Sequence, residues 1–130
     1  KAGGEKEAVM IVGVGTDLVE ITRVKRACER QGFVSRIYTK EECRQAGGNV
    51  SRLAGNFAVK EAVAKSFGTG FRGFWPGDIE VLRDELGKPY VILHGEAERI
   101  GKELGISRIH VSISNTKEYA VAYVTAETEF

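Results

Sequence analysis

Apolar and polar positions along this chain change their spacing several times, and each change predicts an element. Residues 8–14 (AVMIVGV) form a short apolar run of the kind made by a buried strand. If the strand continues through TDLVEI to Ile21, its side chains alternate between two faces. Gly13, Gly15 and Asp17 then share one face, and Val12, Val14, Thr16 and Leu18 share the other. One face thus offers bare backbone beside a single carboxylate. Thr22 is placed to cap a helix that Gly32 ends. Thr39 and Glu42 have the spacing of a capping box, opening a short helix stopped by Gly47-Gly48. A long helix is predicted over 50–67 and glycine-rich loop over 68–77. Strands follow at 78–83 (DIEVLR) and 88–93 (KPYVIL), with Pro89 near a strand start, where proline is tolerated. Ala97, Ile100 and Leu104 recur at helical spacing before Gly105. Residues 108–114 and 119–125 read as a hairpin. The order β-α-α-α-β-β-α-β-β, with antiparallel pairs, predicts an α+β fold: mostly antiparallel sheet against a long central helix and shorter helices.

The long helix poses a physical problem. On a wheel of about 100° per residue, Leu53, Phe57, Val63, Ala64 and Phe67 cover one broad face. Ala54, Ala58, Val59 and Ala62 cover much of the rest, so the helix should be buried nearly all round. Yet it carries Lys60, Glu61 and Lys65. Charges stripped of water must be paired or bound. Glu61 and Lys65 stand at i and i+4 and can pair, with Lys60 snorkelling outward. Alternatively, Glu61 and the strand carboxylate Asp17 are ligands for a hard cation, since Mg²⁺ prefers one or two carboxylates plus water and phosphate oxygens.

Composition adds compartment and charge. The chain has 130 residues, 42% of them hydrophobic and 28% charged, which suits one globular domain. No run approaches the roughly 20 apolar residues of a membrane span. Cys28 and Cys43 belong to no CxxC pattern, and reduced thiols in a cytoplasmic protein are the simpler reading. Residues 1–9 (KAGGEKEAV) read as a leader of cloning origin, with Met10 as the natural start and 10–130 as the domain. The net charge of +1 is uneven: residues 22–72 hold 11 Lys/Arg against 4 Asp/Glu, while 73–130 carry a net −4. A basic segment suits either a solvated helix face or an anionic partner.

Several motifs carry less than they suggest. Gly68-Thr69-Gly70-Phe71-Arg72-Gly73 spells GxGxxG but follows a helix, whereas a dinucleotide fingerprint follows a strand. Its glycines suit a helix cap, or a backbone that approaches a ligand closely. His110, Ser112 and Ser114 share a strand face opposite Ile109, Val111 and Ile113, but no GxSxG elbow accompanies the serines. Neither HExxH nor a second nearby histidine supports zinc. Trp75 and Tyr119 read as structural residues.

Five segments, in order, resemble the holo-acyl-carrier-protein synthases, the small 4'-phosphopantetheinyl transferases: GVGTDLVEI (13–21), LAGNFAVKEAVAKSFGTG (53–70), DIEV (78–81), GKPYV (87–91) and HVSISNTKEYAVA (110–122). The resemblance implies a transferase-like fold and the movement of 4'-phosphopantetheine from coenzyme A to a serine of apo-acyl carrier protein, in support of fatty acid biosynthesis. Adenosine 3',5'-bisphosphate is the other product. It implies Mg²⁺, for which Mn²⁺ can substitute, held by Asp17 and Glu61, with Lys65 near the phosphates as a third catalytic residue. Coenzyme A contacts are implied for Arg52, Asn56, Lys60, Lys65, Gly68, Gly70, Pro89 and His110. Asn56 stands where the family commonly has Arg, and Arg52, one turn earlier, is the expected substitute. Arg23, Arg26 and Arg30 are implied to dock the acidic carrier protein. A homotrimer with sites at subunit junctions is implied, without nucleic acid or membrane as partner; a neighbour would then cover the His/Ser strand face. The serine's proton acceptor stays open among Glu61, water activated beside it, and a carrier carboxylate. Two other classes remain: a non-catalytic module binding RNA or an acidic protein, and a trimer with a dead site.

Overall fold

The computed structural model describes residues 9–129. Residues 1–8, most of the expected leader, lie outside the described residues, while Val9 already pairs with Glu129. Strand β1 (Val9–Glu20) runs into α1 (Ile21–Cys28), and α2 (Phe33–Ile37), α3 (Lys40–Ala46) and α4 (Val50–Ser66) follow. A 3₁₀ turn (Pro76–Asp78) leads to β2 (Ile79–Arg83) and β3 (Pro89–Leu93), then α5 (Gly95–Glu103), β4 (Arg108–Asn115) and β5 (Tyr119–Glu129). The fold is α+β, with two antiparallel sheets, β1-β5-β4 and β2-β3.

The core lies between α4 and the larger sheet. Ala58, Val59, Ala62 and Val63 of α4 meet Ala122 and Val124 of β5, and Ile79 and Val81 of β2 extend the same cluster. Small residues on β5 (Ala120, Ala122, Ala126) let the helix lie close. As expected, α4 is buried nearly all round. The opposite face of the sheet is exposed and partly apolar: Val14, Leu18, Tyr119 and Tyr123 lie on it with His110, Ser112 and Ser114.

The capping box of α3 is present: Thr39 Oγ1 accepts from Glu42 N–H, and Glu42 Oε1 accepts from Thr39 N–H. Thr22, in contrast, caps nothing. β1 passes directly into α1, whose N-cap is Glu20 without a side-chain bond. The five-residue helix α2 was not visible as a period. Trp75 is 73% exposed and Tyr119 is 41% exposed, so neither is a core residue. Cys28 and Cys43 are free thiols. Among the described residues, no helix is long and apolar enough to cross a membrane.

Candidate functional site

The bare face of β1 decides the geometry of the site. A Cβ at Gly15 would stand 1.8 Å from the Ala62 carbonyl oxygen, and one at Gly13 would stand 2.1 Å from that of Ser66. Strand and helix backbones are therefore in direct contact, an approach only glycine permits. Asp17 is the next residue on this face, and the contact delivers it to the helix turn carrying Glu61 and Lys65. Lys65 Nζ donates to the Thr16 carbonyl at 2.8 Å and to Asp17 Oδ1 at 3.2 Å. The lysine thus bridges helix to strand and is not hydrogen-bonded to Glu61, the pairing that helical spacing permitted.

Glu61 and Asp17 line one groove of about 740 Å³ between β1, α1 and α4. Burial pushes the Glu61 carboxyl above the usual carboxylate range, the Asp17 charge pushes it further, and Lys65 only partly opposes them. The groove therefore concentrates negative charge at one point. Arg23 and Arg30 flank it, and Val24, Ala27, Phe33 and Phe57 supply its apolar lining. Arg26 is exposed on the same helix but does not line the groove.

Two of the expected coenzyme A contacts, Lys60 and Asn56, are buried and bonded to the protein's own groups. Lys60 is 0% exposed, and its ammonium donates to Glu42 Oε1 at 2.8 Å, to the Pro76 carbonyl at 3.1 Å and to the Ile79 carbonyl. It does not snorkel outward; it is the buried partner of Glu42. Burial pushes its pKa down, while Glu42 opposes the shift. Asn56 is 2% exposed and equally committed: its amide donates to Glu42 Oε2 at 3.3 Å and to the Val81 carbonyl at 3.2 Å. Its Oδ1 accepts from Arg83 Nη1 at 2.6 Å.

Arg52 and Pro89 meet elsewhere. With Asn49, Ser51, Arg83 and Asn115 they line a second pocket of about 260 Å³ at the start of α4. Arg52 precedes Glu61 by about two and a half turns of α4, so the two side chains leave the helix about 180° apart, one into this pocket and one into the groove. Arg83 and Glu42 are the residues that sequence reasoning missed. Arg83 ends a strand whose alternation gave no chemical signal, and Glu42 was fully explained by its capping box. Gly68 and Gly70, with φ of +79° and +60°, close α4 just after Lys65. That conformation favours glycine with or without a ligand. His110 lies on the exposed sheet face, Nε2 2.9 Å from Glu127 Oε1, and lines neither pocket.

Comparison with known proteins agrees with the fold and with the motifs on β1 and α4. Residues 13–124 match the 4'-phosphopantetheinyl transferase superfamily. The chain is 58% identical over 118 residues to a holo-[acyl-carrier-protein] synthase of Lachnoclostridium phytofermentans, covering 91% of this chain and 97% of that relative. The crystal structure of holo-[acyl-carrier-protein] synthase from Neisseria meningitidis superposes with a TM-score of 0.81 at 41% identity, over 90% of this chain and 98% of that one. A Bacillus anthracis holo-(acyl-carrier-protein) synthase in complex with CoA (3',5'-ADP) superposes with a TM-score of 0.76 at 37% identity, over 92% and 98%. With Asp17 of β1 and all of α4 inside the matched span, and the fold shared over most of the chain, the chain belongs to the holo-[acyl-carrier-protein] synthases of the 4'-phosphopantetheinyl transferase superfamily.

Proposed function

We propose that this chain transfers 4'-phosphopantetheine from coenzyme A to a serine of apo-acyl carrier protein, supplying holo-carrier for fatty acid biosynthesis. The observation that carries the reading is the pair Asp17 and Glu61 in a groove flanked by Arg23 and Arg30, with Lys65 bonded to Asp17. The serine Oγ attacks the phosphorus bonded to pantetheine. The pyrophosphate P–O bond breaks, adenosine 3',5'-bisphosphate leaves, and the serine proton passes to a base. Lys65, half exposed at the mouth of the site, would exchange Thr16 and Asp17 for the phosphates and hold charge as it builds on the leaving oxygen. Glu61, with its raised pKa, is the group beside which a water can take the proton.

The donor set fits Mg²⁺, and Mn²⁺ by the same chemistry. Asp17 and Glu61 are hard oxygen ligands whose mutual repulsion a divalent ion relieves. Among the described residues no third His, Cys or acidic ligand joins them, which suits an ion completed by water and substrate phosphates. Such an ion would neutralise the pyrophosphate oxygens.

Carrier and subunit partners follow from surface chemistry. Arg23, Arg26 and Arg30, all exposed on or just after α1, form a cationic edge for an acidic carrier protein. A homotrimer in the cytoplasm is the assembly we infer. Its support is the exposed, partly apolar face of the larger sheet, which a second copy would cover.

The test is direct. Protein, coenzyme A, Mg²⁺ and apo-carrier are incubated and the carrier is weighed by mass spectrometry. A phosphopantetheine mass gain is expected, lost on Asp17→Ala or Glu61→Ala. No gain with any divalent ion would overturn the assignment.

A further inference from the structure

A third cavity, of about 550 Å³, lies among the end of α1 and the short helices α2 and α3. Cys28, the last residue of α1, and Cys43, in the middle of α3, both line it. They are the chain's two cysteines, and both pack on one apolar cluster with Phe33 and Tyr38. Both are free and partly exposed. They also sense each other. Burial pushes the Cys28 thiol up, and charge on Cys43 pushes it up further. Burial and Glu42 raise Cys43 as well, but Lys60 partly opposes them. Cys28 has no such cation to offset its rise, so Cys43 is the thiol that ionises first. The transfer chemistry uses neither. Two thiols that face one open cavity from different helices form a dithiol that oxidation can close.

The cavity adjoins the groove of Asp17 and Glu61. Arg30 lines both, and its guanidinium carbon stands 5.6 Å from the centre of the Phe33 ring. Phe33 and Ala27, the residue before Cys28, line the groove as well. The end of α1 therefore turns one residue to the groove and the next to the thiol cavity. A disulfide holds its sulfurs about 2.05 Å apart. Closing it draws the end of α1 toward α3, and Arg30 moves with that end.

We propose that Cys28 and Cys43 form a reversible disulfide that weakens docking of the acidic carrier protein. The docking consequence rests on the transfer reading given above; the bond itself does not. The oxidant is a low-molecular-weight disulfide. The Cys43 thiolate attacks one of its sulfurs, the S–S bond of the oxidant breaks, and one thiolate leaves and takes up a proton. Cys43 is then a mixed disulfide. Cys28, having given up its proton, attacks the Cys43 sulfur and expels the second thiolate, which is protonated in turn. Two protein thiols are oxidised and one small disulfide is reduced to two thiols, so protons and electrons balance. Excess small thiol runs the same steps backwards.

The test uses oxidised glutathione as the probe, at about pH 8.5, where free thiols are half ionised. The intact chain is then weighed by mass spectrometry and digested. Loss of two hydrogen atoms and a peptide cross-link between residues 28 and 43 are expected, both reversed by dithiothreitol. Cys28→Ser should instead keep glutathione on Cys43. Glutathione retained on both cysteines of the wild type, or no reaction, would overturn the disulfide. This readout needs no transfer, so it stands or falls apart from the activity. In the transfer assay, the cross-linked chain should show an apparent KM for carrier raised about threefold to fivefold, the size of one lost exposed ion pair. Its KM for coenzyme A should not change, and Cys28→Ser treated in the same way should keep the reduced wild-type KM for carrier. A cross-linked chain whose carrier KM is unchanged, or whose two KM values rise equally, would overturn the docking consequence.

Discussion

Consider Gly15→Ala, which adds one methyl group to the strand face that meets α4. The new Cβ would lie 1.8 Å from the Ala62 carbonyl oxygen, short of ordinary contact by about 1.6 Å. The obstacle is backbone on a buried helix, so no rotamer change relieves it. β1 and α4 must separate by more than 1 Å, at a cost of about 1–3 kcal/mol or more, as for other overpacked interfaces. Asp17 lies two residues further on, so the same displacement carries its carboxylate away from Glu61 and Lys65. A misplacement of about 1 Å can lower a rate about 100-fold.

Gly13→Ala is the internal control. Its Cβ would meet the Ser66 carbonyl at 2.1 Å, a comparable clash, but four residues from Asp17. Both variants should lower the unfolding midpoint in urea by similar amounts, whereas Gly15→Ala should lose much more transfer activity at saturating coenzyme A and Mg²⁺. Wild-type stability and activity in Gly15→Ala would refute the strand–helix contact. Equal activity losses in the two variants would refute the claim that the glycines aim Asp17.

Other predictions follow from the charges of α4 and α1. Lys60→Met should destabilise the fold by about 3–5 kcal/mol, because it leaves Glu42 buried and unpaired; in urea unfolding, the Lys60→Met/Glu42→Gln double variant should cost less than the sum of the singles, and additive losses would refute the pairing. Without divalent ion, the raised Glu61 pKa means the folded chain holds this proton more tightly than the unfolded chain. Its contribution to stability is therefore present at low pH and is lost as pH rises through the folded pKa. The acid limb of the pH profile of kcat/KM should move to lower pH as Mg²⁺ is raised, since metal and proton compete for the carboxylate; a limb that does not move would remove Glu61 from the metal site. Arg23→Glu should raise the apparent KM for carrier protein far more than that for coenzyme A, and equal effects would remove the docking role.

What could be read in advance follows from the range of each interaction. Alternation on β1 placed Gly13, Gly15 and Asp17 on one face, because a strand repeats every two residues and needs no partner to do so. That this face meets bare helix backbone depends on a contact almost 50 residues away, which no local period encodes. The capping box at Thr39 was legible for the same reason that Glu42 was misread. Its carboxylate satisfies a local N–H and also receives Lys60 from 18 residues along the chain. Thr22 failed as a cap because strand pairing holds β1 in extended form through Glu20, where Tyr119 is its partner. The helix wheel correctly predicted burial for α4 but gave direction without depth, so Lys60 was sent outward when its direction leads under α3 and β2.

The near-uniform burial of α4 explains how one helix serves stability and chemistry on adjacent residues. Each side has its own polar partner: β1 for Lys65, Glu42 for Lys60, and the end of β2 for Asn56. Lys60 and Glu61 are neighbours in sequence but point about 100° apart, into a sealed ion pair and an open groove. Their neutral variants should therefore move stability in opposite directions. Lys60→Met removes a satisfied charge and weakens the fold. Glu61→Gln removes a carboxylate whose ionisation burial and Asp17 both resist, so in the absence of metal near neutral pH it should raise Tm while abolishing transfer. A Glu61→Gln variant that melts below wild type under those conditions would show that the groove carboxylate contributes to holding the fold, and the separation of roles along α4 would be wrong.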